Sequence, residues 1–177
     1  LKQITDGKLS AKRISGMHPV AGTSDYAQIE ADGTQIVTYS FKTGKKTGVL
    51  LNVADIKNKQ LTKIDGYIIS PNGKKLIIAT NSHSIYRRSY TADFFVYDLL
   101  SKEIVPLSPN GHEQIPTFSP DGKLIAYVWK NNIYITDGKN QTQVTTDGSF
   151  NEVINGLPDW VNEEEFSFNN ALAWGAD

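Results

Sequence analysis

Apolar residues in this chain of 177 residues come in short runs, each closed by a cluster of turn formers. Tyr67, Ile68 and Ile69 lead into Ser70-Pro71-Asn72-Gly73 and then into Leu76, Ile77, Ile78 and Ala79. The same order returns as Thr117-Phe118, Ser119-Pro120-Asp121-Gly122 and Leu124 to Trp129. A looser copy runs from Tyr26 through Asp32-Gly33 to Tyr39. Proline pre-sets φ at the first turn position, and glycine after Asp or Asn supplies the positive φ of a tight hairpin. The strand after each turn is apolar nearly throughout, as a strand buried on both faces must be. The units continue into a second hairpin, residues 94–98 with 103–107 and residues 132–136 with 143–145. Helical periodicity of any length is absent. One short helix is predicted near 159–166, where Asp159 is placed to cap it and carboxylates fall near its start.

Four short strands per unit, with turn glycines 33, 73 and 122 at intervals of about 40 to 50 residues, is the period of a propeller blade. A β-sandwich also uses short strands and glycine turns, but a recurring Ser-Pro-Asx-Gly between matched strand pairs is hard to obtain from one. The expected fold is therefore all-β, a partial β-propeller of about three to four antiparallel four-stranded blades. Residues 1–24 read as a lead-in and 25–177 as an incomplete propeller domain. Ala171 to Trp174 reads as the opening strand of a fourth unit. A propeller of three and a half blades cannot close, so the chain is expected to be cut out of something longer.

Composition narrows the chemistry. With 39% hydrophobic and 21% charged residues the balance is that of an ordinary globular protein. A net charge of −1 leaves no basic field for nucleic acid. The absence of cysteine excludes disulfides, thiolate metal sites and a cysteine nucleophile. No apolar run approaches the roughly 18 residues of a membrane span. Leu1 in place of Met leans towards a removed leader, and Asn140-Gln141-Thr142 is a formal glycosylation sequon.

No catalytic residues are expected within the chain. It has no Gly-x-Ser-x-Gly elbow, and His18, His83 and His112 stand isolated in predicted loops, with no metal-ligand spacing and no cofactor implied. Two segments break the blade rhythm and hold the richer chemistry. Residues 81–92 carry Tyr86-Arg87-Arg88-Ser89-Tyr90, and residues 155–166 carry Asp159-Trp160-Val161-Asn162-Glu163-Glu164-Glu165. The acidic string has two readings: a solvated turn, or a carboxylate pair that receives a cation such as a primary ammonium. Arg87 or Arg88 is either a surface charge or a grip for a carbonyl or carboxylate.

These two segments, with Phe118 to Tyr134 between them, closely resemble the N-terminal propeller of the dipeptidyl peptidase IV family, in order from about residue 25 to Trp174. The resemblance implies an eight-bladed propeller joined to a C-terminal α/β-hydrolase domain, absent here, that carries Ser, Asp and His. It implies a serine exopeptidase that releases dipeptides from free N-termini, with Pro or Ala second. By register it maps the substrate-binding residues to Glu164 and Glu165, for the α-ammonium, and to Arg87, for the carbonyl of the first residue. Arg88 departs from a commoner His and Tyr86 from Trp. The partners implied are peptides with a free N-terminus. The full-length enzyme is expected to be periplasmic or otherwise exported, with a homodimer as the assembly to test. A non-catalytic propeller module for protein or peptide binding is the alternative. An endopeptidase of the prolyl oligopeptidase kind is disfavoured, because it does not need the ammonium-binding glutamates.

Overall fold

A computed structural model describes residues 2, 6, 16–30, 32–57 and 60–175. Among the described residues, twelve strands form three four-stranded antiparallel sheets. The first holds β1 (His18–Pro19), β2 (Asp25–Ile29), β3 (Gln35–Ser40) and β4 (Lys46–Asn52). The second holds β5 (Gly66–Ile69), β6 (Lys75–Ser84), β7 (Tyr90–Asp98) and β8 (Ile104–Pro106). The third holds β9 (Gln114–Phe118), β10 (Ile125–Trp129), β11 (Asn132–Thr136) and β12 (Gln141–Gln143). In each sheet, neighbours in space are neighbours in sequence, the up-and-down order of a propeller blade.

The middle blade shows why its strands are apolar on both faces. Leu76 and Ile78 of β6, with Phe95 and Tyr97 of β7, pack towards the first blade against Ala27, Ile36 and Leu51. Alternate residues of the same strands, Ile77, Ala79, Phe94 and Val96, pack the other way against Phe118, Ile125 and Tyr127 of the third. Successive side chains of a strand point to opposite faces, so one strand serves two cores. Ile36, Leu76, Ile77, Ile78 and Tyr127 are wholly removed from water.

The Ser-Pro-Asx-Gly turns are built alike. Gly73 N–H donates to the Ser70 carbonyl and Gly122 N–H to that of Ser119, both at 2.8 Å. The serine hydroxyls accept from Lys75 N–H (2.8 Å) and Leu124 N–H (2.9 Å). Asn72 Oδ1 and Asp121 Oδ1 each accept the N–H two residues on, at 3.0 Å. These donors, with the Ser119 hydroxyl and Lys123, hold the Asp121 carboxyl down at about 2. Asn72 also reaches across the blade boundary and donates to the Asp121 carbonyl at 2.7 Å. A Cβ on Gly122 would meet the Asn72 amide at 2.5 Å, so this close approach, with φ at +71°, requires glycine.

The structure corrects the register of the first unit. Asp32-Gly33 joins β2 to β3, the second and third strands of its blade, whereas the two Ser-Pro-Asx-Gly turns join first to second. The equivalent turn of the first blade is Val20-Ala21-Gly22-Thr23, closed by Thr23 N–H to the Val20 carbonyl. Ala21 lies against Gly73 as Asn72 lies against Gly122, so the three turns follow one another from blade to blade. The turn glycines 22, 73 and 122 then recur at intervals of about 50 residues, a more even blade period. Any tight hairpin wants a glycine of positive φ, so Asp-Gly alone does not say which hairpin it closes.

Other expectations also shift. The third blade's outer strand is centred two residues earlier than predicted, although Val144 N–H still donates to the Ile133 carbonyl at 2.8 Å. Ala171 to Trp174 is not a strand. Ala171 N–H donates to Gly156 and the Trp174 indole to the Thr117 carbonyl, so the segment packs on the third blade without a ladder partner. His18 lies in β1, edge-on to Tyr67, and His83 in β6, while His83 and His112 bring their rings within 5.8 Å. Two of the three histidines are thus strand residues, and two of them are neighbours.

Candidate functional site

The segments that break the blade rhythm meet. The first lengthens a hairpin: β6 runs on to Ser84 and β7 starts at Tyr90, with a register shift between Thr80 and His83 where Asn81 takes a φ of 51°. Its tip, residues 85–88, is exposed and closed by Ile85 N–H to the Ser89 carbonyl at 2.9 Å. The second holds the predicted helix, α1 (Trp160–Phe166). Asp159 caps it by accepting Asn162 N–H at 2.8 Å, and Ser167 ends it in the left-handed region. The Asn162 backbone and side-chain donors outweigh burial and hold the Asp159 carboxyl below the ordinary aspartate value.

Arg87 Nε lies 3.2 Å from Glu164 Oε2. The Arg87 side chain is 66% exposed and that of Glu164 16%. A pair so open to water adds at most about 1 kcal/mol to stability, so its value lies elsewhere. Glu165 is exposed and has no hydrogen-bond or ion-pair partner among the described residues. Consecutive helix residues point about 100° apart, so the three glutamates meet three surroundings. Glu163 is turned inward and is only 3% exposed.

Sequence reasoning missed Glu163. Its Oε1 accepts the backbone N–H of Arg88 at 2.6 Å and of Ser89 at 2.8 Å. Burial by its immediate neighbours raises its pKa. The Ser89 hydroxyl, the two backbone donors and the Arg88 charge outweigh that and leave it below the ordinary carboxylate value. Arg88, read above as a surface charge or a grip, donates from Nη2 to the Ser167 hydroxyl at 2.8 Å, a cation at the negative end of the helix. A cleft of about 290 Å³ flanks the hairpin tip beside Tyr86, Arg87, Ser84, Asp65 and Tyr90. Of the predicted residues, the structure therefore joins Arg87 to Glu164 and leaves Glu165 in solvent beside them.

A second buried carboxyl lies between the blades. Glu113 is 1% exposed, pairs backbone to backbone with Ala92, and accepts the Ser108 hydroxyl. Burial pushes its pKa up against that hydrogen bond. Among the described residues no group of three or more His, Asp or Glu is placed to hold a metal ion, and no helix is long and apolar enough to cross a membrane.

Comparison with known proteins agrees with the partial propeller fold. The family described as the dipeptidyl peptidase IV N-terminal region matches residues 70–177. Dipeptidyl peptidase 4 of Felis catus is 39% identical over 116 residues, which cover 63% of this chain and 15% of that one. Prolyl endopeptidase FAP of Homo sapiens is 32% identical over 186 residues, covering 98% of this chain and 22% of its own. The crystal structure of Porphyromonas gingivalis dipeptidyl peptidase 4 matches 96% of this chain at 38% identity, with a TM-score of 0.89. This chain spans 25% of that one. It is thus similar to a minor part of each relative.

Proposed function

We propose a function on the premise that this chain belongs to the dipeptidyl peptidase IV N-terminal-region family. The chain is the substrate-recognition part of a serine exopeptidase that releases X-Pro or X-Ala dipeptides from free N-termini. The triad belongs to an α/β-hydrolase domain of the full-length enzyme, so this stretch by itself has no peptidase activity. The same reading makes the full-length enzyme periplasmic or otherwise exported, with a homodimer as the assembly to test, and fractionation and sedimentation would check both.

The observation that carries the reading is the approach of Arg87 to Glu164 across two segments far apart in sequence. An α-amine has a pKa near 8, so a free N-terminus is largely cationic at neutral pH. Its three N–H donors suit two carboxylates, and Glu164 and Glu165 supply them. Arg87 engages Glu164 through Nε, and its remaining guanidinium donors are available for the carbonyl of the first substrate residue. Anchoring the ammonium at a set distance from the nucleophile leaves room for two residues, so the pair measures the dipeptide. An internal peptide lacks that cation and, on binding, would bury Glu165 without a partner.

The test compares an X-Pro-chromophore with its N-acetylated form on the full-length protein, with E164Q and E165Q beside the wild type. Loss of activity on the free amine in both variants supports the anchor. Equal cleavage of the acetylated substrate overturns it. The second reading, cleavage of internal prolyl bonds, has one observation in its favour: human and mouse relatives bear the name prolyl endopeptidase. A full-length protein inactive on both substrates would instead favour a non-catalytic binding module.

A further inference from the structure

We infer that Glu163 is a positioning residue: its buried carboxylate clamps the backbone of the hairpin tip so that Arg87 is presented to Glu164 and to substrate. The inference rests on the substrate-binding reading of Arg87 and Glu164.

The tip needs such a clamp. Its own closure is sparse, with Ile85 N–H to Ser89 at 2.9 Å and a long bond from Tyr86 N–H to the same carbonyl at 3.4 Å. The β6–β7 ladder beneath it is already interrupted between Thr80 and His83. Residues 85–88 are all exposed and add nothing to either apolar core. Left to itself, a tip of this kind would sample many conformations.

The α1 segment supplies what the hairpin lacks. Glu163 takes two adjacent backbone N–H groups, of Arg88 and Ser89, on one oxygen, in short charge-assisted hydrogen bonds. Arg88 is held at two further points, its guanidinium on the Ser167 hydroxyl and its carbonyl under the Asn169 amide at 3.4 Å. The Ser89 hydroxyl is buried with no hydrogen-bond partner among the described residues. The chain just after Arg87 is therefore fixed from residues 163–169, while the Arg87 side chain keeps its ion pair to Glu164 and most of its exposure. That is how a pre-organised binding arm is built: a fixed backbone and a free head. It also accounts for a buried carboxylate with no ion-pair partner within salt-bridge distance among the described residues, which would otherwise be costly.

The experiment uses the full-length protein with E163A, E163Q and R87A. Three quantities are read: KM and kcat on an X-Pro-chromophore, amide hydrogen exchange at residues 85–90, and the global melting temperature. E163A is expected to raise KM about tenfold with kcat within about threefold, the loss expected from one hydrogen bond to a charged group. The Arg88 and Ser89 amides should exchange at least about tenfold faster with little change in melting, since the tip lies outside both cores. E163Q, which keeps an acceptor, should recover part of the KM loss, and it carries both readouts if E163A does not fold. The inference is overturned if E163A leaves KM within about twofold while R87A raises it, or if the two amides keep their protection. If R87A itself leaves KM unchanged, the substrate-binding reading falls first and this inference with it.

Discussion

Between the second and third blades, Ile77, Phe94, Val96, Ile125 and Tyr127 exclude water from a continuous apolar layer. Between the hairpin tip and α1, the contacts are instead an ion pair, two hydrogen bonds to one carboxylate and a guanidinium on a hydroxyl, the first and last near solvent. The first region is held by area removed from water, which is non-directional and large. The second is held by directional polar contacts, individually small but demanding in geometry. Stability and recognition are therefore separable here: the blades can carry the tip and helix without depending on them.

The largest expected effect tests the apolar side. Ile77→Ala or Ile78→Ala should each cost about 2–5 kcal/mol of stability, read as a shift in the denaturant midpoint, because each fully buried side chain would leave a cavity. Arg87→Ala should change that midpoint by less than about 1 kcal/mol, since its pair is exposed. If both substitutions moved stability alike, the separation would fail.

Next in size is the recognition side. Glu164→Gln should lower kcat/KM for a free-amine X-Pro substrate by about 10- to 150-fold, the worth of a hydrogen bond to a charged group, with the midpoint unmoved. Arg87→Lys should not restore an Arg87→Ala loss fully, since an ammonium lacks the planar fork.

Two smaller effects run in opposite directions with pH and come from the blades. Glu113 is buried with its pKa raised, so the folded state binds its proton more tightly than the unfolded state does. Stability should then decline as pH rises from the ordinary carboxylate value through the raised one. Glu113→Gln, which cannot ionise, should flatten that decline in melting temperature. Asp121 is the reverse case, held down at about 2, so its contribution is present above the ordinary aspartate value and is lost as pH falls through about 2. Asp121→Asn should remove that acid-side slope and otherwise do little, since Asn72 already occupies the matching position of the second blade's turn.

Much of the scaffold was legible because its signals are local. Ser70-Pro71-Asn72-Gly73 and Ser119-Pro120-Asp121-Gly122 each make their turns from contacts within five residues, and Asp159 caps α1 by reaching Asn162. The strands about the Asp32-Gly33 turn were found, but not the turn's place in its blade, because every tight hairpin asks for the same glycine. Ala171 to Trp174 has strand composition, yet forming a strand takes a partner, and here the segment bonds to Gly156 and Thr117 instead.

For the candidate site the balance differs. Residue type and order drew attention to Glu163-Glu164-Glu165, to Arg87 or Arg88, and to the two segments that interrupt the blades; only the family resemblance singled out Arg87, Glu164 and Glu165 among them. Tertiary structure alone decided which glutamate faces the arginine, which faces water, and which, Glu163, turns inward to hold the hairpin. Three identical carboxylates in a row carry no distinguishing local signal. Helix rotation aims them apart, and what each one meets is set by a hairpin tip more than seventy residues away in sequence.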